Sequence, residues 1–220
     1  MEIHEIEVLE TLEERVAPHH TALLVVDMQN DYCAPSGASD RNGRDLAAIR
    51  AAIPSICDLI ESAREVGVPV VFTKYTLGPN GAGLSGPEIL RRGRNFVGMQ
   101  STLKGTWGHD LIDEMPVRPD EDLIIEKRRL SSFIGTDLDL ILSARGIKTV
   151  VIAGVVTQGC VECTVRDAAG YDYYVAVAMD CIASTDPRAH ETSLRCMETV
   201  LRYPDAITTA TRLRAIWSDS

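Results

Sequence analysis

Long apolar runs are absent from this 220-residue chain, and so is any excess of positive charge. No stretch approaches the ~18–20 consecutive apolar residues that a membrane-spanning helix requires, so no membrane partner is expected. The opening Met1-Glu-Ile-His-Glu-Ile-Glu7 has no apolar core flanked by basic residues and does not read as a secretory signal. Lys and Arg number 22 against 32 Asp and Glu, a formal net charge of −10. No basic cluster offsets that charge, which argues against nucleic acid as a partner. Histidine is sparse: His4, His19, His20, His109 and His190 show no ligand spacing, and a solvated or structural role suits each of them. The six cysteines (33, 57, 160, 163, 181 and 196) are scattered through apparent secondary structure instead of framing loops. That distribution suits free thiols in a reducing cytoplasm, not a disulfide scaffold.

What is present fits one compact α/β domain: 45% hydrophobic and 25% charged residues over a length that supports a single core. Residues 1–20 read as an amphipathic N-terminal arm, with Ile3, Ile6, Leu9, Leu12 and Val16 apolar, and residues 21–220 as the domain proper. The arm could pack on a neighbouring subunit or cap its own domain. Thr21–Asp27 is a continuous apolar run ending in an acid, the pattern of a strand buried on both faces. Further strands are predicted at 68–73, 122–127, 148–153, 173–179 and, briefly, 206–209. Helical spacing covers 45–66, with a kink at Pro54 and a stop at Gly67. Other helices are predicted from an N-cap at Thr136 to Ser143, from near Cys160, over 187–201 and at the C-terminus. Alternating strands and helices predict a doubly wound, Rossmann-like parallel sheet of about six strands with helices on both faces. Residues 76–108 form a long Gly-rich and polar excursion from it.

Ligands of such sheets bind beyond the carboxyl ends of the strands. Asp27 closes the first strand, Lys127 closes the third, and Cys160 opens the helix after the fourth. Singly, an acid or lysine at a strand end is most often structural; an acid, a base and a thiol brought together are informative. A cysteine at a helix N-terminus faces unpaired N–H groups and the positive end of the dipole, which predicts a thiolate favoured below the free-thiol pKa of ~8.5. Cys163, one turn further on, reads as a small buried hydrophobe.

Three segments then carry a resemblance: Val25-Val-Asp27-Met-Gln-Asn-Asp31; Glu126-Lys127 with Gly135-Thr-Asp-Leu138; and Gly154-Val-Val-Thr-Gln-Gly-Cys160-Val-Glu162. In this order they resemble the isochorismatase-like cysteine hydrolases, from about Thr21 to the C-terminus. The resemblance implies a catalytic triad of Asp27, Lys127 and Cys160. It also implies a cis peptide between Val155 and Val156, with an oxyanion hole made by the backbone N–H groups of Val156 and Cys160. The implied reaction is hydrolysis of a small amide through a thioester, by a homo-oligomer (dimer or tetramer) that needs no cofactor.

Departures from the family pattern narrow the substrate. After the second strand the chain reads Thr73-Lys-Tyr-Thr-Leu-Gly78, without the Asp-x-His by which nicotinamidases hold a metal, so no metal is expected. A nucleophilic cysteine also argues against isochorismatase chemistry proper. The resemblance is to the branch acting on linear amides and ureides, such as N-carbamoylsarcosine, ureidoacrylate or biuret; maleamate is an alternative. Asn30, Tyr32, Trp107, Phe133 and Gln158 are candidate pocket residues, and Arg166 reads as a surface ion-pair partner. Gly81-Ala-Gly-Leu-Ser-Gly86 matches a dinucleotide fingerprint but does not sit directly between a strand and its helix, so it reads as a loop. A thiol-disulfide oxidoreductase using Cys160 and Cys163 is the rival of another class; it leaves Asp27 and Lys127 without a role.

Overall fold

A computed structural model of the chain describes residues 2–4, 6–92 and 100–219. A small antiparallel ribbon, β1 (Glu2–Ile3) and β2 (Ile6–Glu7), and a single helical turn, α1 (Leu12–Arg15), precede the main sheet. The main elements are β3 (Thr21–Val26), α2 (Asn30–Cys33), α3 (Ala38–Arg41), α4 (Ala47–Glu65), β4 (Val70–Tyr75), α5 (Gly86–Arg92) and β5 (Leu123–Lys127). They continue as α6 (Leu138–Ala144), β6 (Thr149–Val155), α7 (Glu162–Gly170), β7 (Tyr174–Ala183), α8 (Pro187–Leu201), β8 (Ile207–Thr208) and α9 (Ala210–Ser218). No helix among the described residues is long and apolar enough to cross a membrane.

The six strands from β3 to β8 form one sheet in the order β5-β4-β3-β6-β7-β8, every pair parallel. The chain winds outward from β3 through β4 to β5, then crosses back to lay β6 on the other side of β3. That reversal opens a crevice at the carboxyl ends of β3 and β6, where doubly wound folds bind ligands. All six residues of β3 are buried, because side chains alternate between two covered faces. Leu23 and Val25 enter a core with α4 and α9, including Ile56, Leu59 and Trp217. Ala22, Leu24 and Val26 enter the opposite core, with Leu138 and Leu142 of α6, Val165 of α7 and Met197 of α8.

Two local expectations need correction. The N-terminal segment is not one continuous amphipathic element: Leu12 and Val16 are buried in this chain's own core, Trp217 Nε1 donates to Val16 O at 2.9 Å, and Ile6 is exposed. The helix expected over 45–66 is present as α4, with Pro54 inside it; the missing N–H removes one helical bond, and the buried face through Ile49, Ile53, Ile56 and Ile60 holds the helix together. The N-cap of α6 is Asp137, with Thr136 Oγ1 accepting from Leu138 N at 3.3 Å one residue outside it.

The crevice depends on one glycine. Gly154 pairs with Val26 across β3 and β6 and has φ +111°. A Cβ there would lie 2.1 Å from Val26 O and 2.5 Å from Val26 N, so the strand ends approach as closely as they do only because no side chain stands between them. Gly154→Ala is expected to cost roughly 3 kcal/mol or more, read as a lower urea midpoint; an unchanged midpoint would show that the strands part without penalty.

Candidate active site

The end of β3 positions Asp27 by leaving the extended conformation there. Asp27 adopts φ 52°, a left-handed conformation that Asp tolerates better than most residues. Its N–H donates to Thr73 O at 3.1 Å, and its Oδ1 accepts from Thr73 Oγ1 at 2.9 Å. Its Oδ2 lies 2.7 Å from Lys127 Nζ, with both side chains fully buried. Lys127 Nζ also donates to Leu130 O at 2.8 Å and Arg129 O at 3.1 Å, and sits 4.8 Å from the centre of the Tyr75 ring. The ammonium is therefore surrounded by a carboxylate, two carbonyls and an aromatic face. Asp27 Oδ2, in contrast, accepts no well-directed hydrogen bond among the described residues. One lone pair remains open beside the ion pair.

Gln29 fixes the distance between these strand ends. Its Oε1 accepts from Tyr75 N at 2.7 Å while its Nε2 donates to Tyr75 O at 3.1 Å and to His109 O at 2.8 Å. A side-chain amide thus continues the β3–β4 ladder after the backbone has turned away, and holds Tyr75 beneath Lys127.

Cys160 lies in a π-helical turn, Thr157–Val161, between β6 and α7. The Val155–Val156 peptide is cis, as the family resemblance implies. The turn is fastened on two sides. Thr164 Oγ1 donates to Cys160 O at 2.7 Å and accepts from Ser132 N at 3.0 Å, joining it to the loop after β5. Thr157 Oγ1 meets His190 Nδ1 at 2.8 Å, joining it to α8. The Cys160 thiol comes within hydrogen-bonding reach of both Asp27 and Lys127.

The electrostatics of the thiol reverse the expectation of a readily formed thiolate. Burial pushes the Cys160 pKa up to about 12; Lys127 pulls it down and Asp27 adds to the rise. The helix N-terminus argument fails because Cys160 sits in an enclosed turn ahead of α7, where loss of hydration outweighs the dipole. Burial also works against the Lys127 ammonium, but the charges of Asp27 and the Cys160 sulfur outweigh it, and the lysine pKa is raised. At rest the site therefore combines a neutral thiol with an ion pair.

A cavity of about 580 Å³ opens above the thiol, with Val155, Val156, Gly159 and Cys160 on one side. Of the five candidate pocket residues, Tyr32 lines it. Asn30 is buried and spends its Nδ2 on Trp107 O at 2.8 Å, tying two loops together. Trp107 and Gln158 point to solvent and lie off the wall. Phe133 is buried in the core, stacked on Tyr171 at 5.3 Å between ring centres. Its apolar neighbours, not a ligand, account for it. Much of the remaining wall comes from Ser39, Asn42 and Arg44 before α4, from Tyr75 at the end of β4, and from Glu88 and Arg91 on the excursion, none of them marked by sequence. The available signal was positional: 34–46 lies in the connection between the strand that precedes Asp27 and α4. Cys163 does not line the cavity. The Gly81–Gly86 stretch is loop only over 82–85, with Gly81 ending a 3₁₀ turn and Gly86 opening α5; Arg129 Nη1 donates to Gly83 O at 3.0 Å, resting it on the end of β5. Arg166 pairs with Glu162 at 2.7 Å on the surface of α7. Among the described residues no three His, Cys, Asp or Glu side chains are grouped so as to hold a metal ion.

Cys33 and Cys181 are buried thiols like Cys160, and burial raises the pKa of each above the ordinary 9.0. The folded chain thus retains protons that the unfolded chain releases near pH 9. Stability is complete below that pH and is lost as pH rises toward the folded values. Urea midpoints measured from pH 8 to about 10.5 should fall, with up to ~1.4 kcal/mol per pH unit lost for each thiol. Cys160→Ser should shallow the fall; a flat wild-type profile would contradict the burial argument.

Comparison with known proteins shows the family. The isochorismatase domain model matches residues 21–211. The ureidoacrylate amidohydrolase RutB of Enterobacter sp. strain 638 is 34% identical over 202 residues, covering 87% of each chain. N-carbamoylsarcosine amidase from Thermoplasma acidophilum is similar in structure, with a TM-score of 0.66 at 30% identity, over 86% of this chain and 96% of that one. A cysteine hydrolase from Pseudomonas syringae pv. phaseolicola 1448A shares the fold, with a TM-score of 0.80 at 24% identity over 97% of this chain and 98% of the other. The chain therefore belongs to the isochorismatase family and is an isochorismatase-like hydrolase acting on C–N bonds.

Proposed function

We propose that the protein is a cysteine-dependent amidohydrolase that cleaves a C–N bond of a small linear amide or ureide, with Cys160 as nucleophile. The observation that carries this reading is a buried thiol at a cavity wall, within reach of a carboxylate that has an open lone pair. The relatives named for ureidoacrylate and N-carbamoylsarcosine support the choice of substrate class.

In this mechanism Asp27 Oδ2 takes the thiol proton as Cys160 Sγ attacks the carbonyl carbon. The raised thiol pKa makes that base necessary: little thiolate exists until the proton has an acceptor. Backbone N–H groups of Val156 and Cys160 hold the oxyanion, a contact worth ~3–4 kcal/mol per donor elsewhere. Asp27 returns the proton to the nitrogen, the C–N bond breaks, and ammonia or an amine departs. Water then gives a proton to Asp27 and attacks the thioester; the C–S bond breaks and the sulfur regains its proton from Asp27. Lys127 is held by Arg129 O and Leu130 O, keeps Asp27 in place and offsets the negative charge that builds during both attacks. Cys163 lies off the cavity wall, which favours hydrolysis over a dithiol exchange at this site. The reading extends to a cytoplasmic homo-oligomer, in keeping with six free thiols; light scattering should exceed the mass of one 24.0 kDa chain.

Ammonia release from biuret, triuret, ureidoacrylate, N-carbamoyl amino acids, maleamate and nicotinamide tests the reading. Cys160→Ala should lower kcat by roughly 10³-fold or more, and Asp27→Asn by a comparable factor. Cys163→Ala should stay within about threefold of wild type, since it removes no transition-state contact. Near-normal turnover by Cys160→Ala with loss in Cys163→Ala would overturn the assignment.

A further inference from the structure

Among the described residues, the charged side chains around the cavity are not all paired. At its base Asp27 and Lys127 neutralise each other. On the excursion Arg91 is paired with Glu88, whose Oε1 also accepts from Tyr75 Oη at 2.7 Å. Arg44 is different. It stands on the short loop between α3 and α4, exposed and on the cavity wall, and its guanidinium makes no ion pair or hydrogen bond with any described residue. The acids nearest in sequence are committed elsewhere. Asp45 Oδ1 accepts from Ala47 N at 2.8 Å at the start of α4, and Asp40 Oδ2 accepts from Ser36 N at 2.8 Å. Asp31 is held by Ala38 N, Thr102 N and Arg41. Among the described residues, a chain with formal charge −10 thus carries on this wall a guanidinium without a direct ion-pair partner.

We propose that Arg44 is a specificity-determining residue that binds a carboxylate on the substrate, so that the enzyme selects anionic amides or ureides over neutral ones. The inference rests on the amidohydrolase reading for the identity of the reacting group, but not for the anion site itself. A guanidinium offers two parallel N–H donors that match a carboxylate, and remains charged throughout the working pH range. Ser39 and Asn42 stand on the same stretch of wall, so the subsite is polar where the anion would lie and apolar at Val155 and Val156.

The test separates the two readings by using thiol reagents that need no turnover. The full-length protein is treated with 2-carboxyethyl methanethiosulfonate or its neutral 2-hydroxyethyl counterpart. In each case the Cys160 thiolate displaces methanesulfinate, and the rate is read at the Cys160 peptide by mass spectrometry. The anionic-to-neutral rate ratio should fall about tenfold or more in Arg44→Ala and be partly restored in Arg44→Lys. Arg145→Ala, which removes an exposed arginine from α6's end, away from the cavity, should keep the wild-type ratio. In turnover, Arg44→Ala should raise KM for ureidoacrylate by roughly ten- to a hundredfold with kcat within about threefold, while KM for the methyl ester stays put. An equal ratio in wild type and Arg44→Ala, or an equal fall in Arg145→Ala, overturns the proposal. An Arg44-dependent ratio with no ammonia from any amide supports the anion site and sinks the amidohydrolase reading instead.

Discussion

The site is organised around one interaction, the fully buried ion pair of Asp27 and Lys127. Taking two charges out of water is costly, and their mutual attraction offsets that only where the remaining valences are also met. Here the ends of three adjacent strands meet them. β3 supplies the acid and β5 the base, while β4 between them supplies the Thr73 hydroxyl to the acid and the Tyr75 ring to the base. Gln29 keeps β3 and β4 in step beyond their ladder. Apolar residues of similar volume would in general be at least as stable as such a pair. Stability alone therefore does not account for it. The proposed function gives the pair a second reason: a carboxylate oxygen left to take a proton from the neighbouring thiol.

The same burial that makes the ion pair strong makes the thiol weakly acidic. A solvated, low-pKa cysteine would be ionised before substrate arrived and open to adventitious oxidation. In the proposed mechanism Cys160, whose pKa burial pushes up to about 12, keeps its proton until a carbonyl carbon is in place to accept the electron pair. The proton then needs only a short internal path to Asp27, and the ammonium beside it compensates the charge. On that proposal Lys127 is a positioning and charge-balancing group, and its ammonium is held by carbonyl oxygens.

How much of this was legible in the sequence follows from how local each signal is. The strands were readable because a strand buried on both faces is a continuous apolar run, as in Thr21–Val26 and Thr149–Val155. The meeting of Asp27, Lys127 and Cys160 followed from the rule that ligands bind at the carboxyl ends of parallel strands, without knowledge of any contact. The pocket wall was not readable, because it joins residues 38–44 to residues 75–91 through a loop arrangement that has no periodicity. Phe133 shows the difficulty: an aromatic near the site has the same appearance in sequence whether it packs on Tyr171 or on a ligand. The thiol pKa was misjudged for a related reason. A helix N-terminus is visible in a sequence, but the degree of enclosure that outweighs it is not.

The division between strand ends and loops separates chemistry from recognition. Asp27, Lys127 and Cys160 are carried by β3, β5 and the turn after β6, all anchored in the two cores. Glu88, Arg91 and Arg44 belong to the connections, where side chains change without disturbing the sheet. Arg44 also has to act against the field of its own chain. With a formal charge of −10 and screening over ~8 Å at physiological salt, a single guanidinium cannot draw anions in from a distance. Its effect is confined to contact, where a paired carboxylate loses little and gains two directed hydrogen bonds. On the proposed reading, such a residue would govern how long an anionic substrate stays and how it is oriented before the thiol, more than how often it arrives.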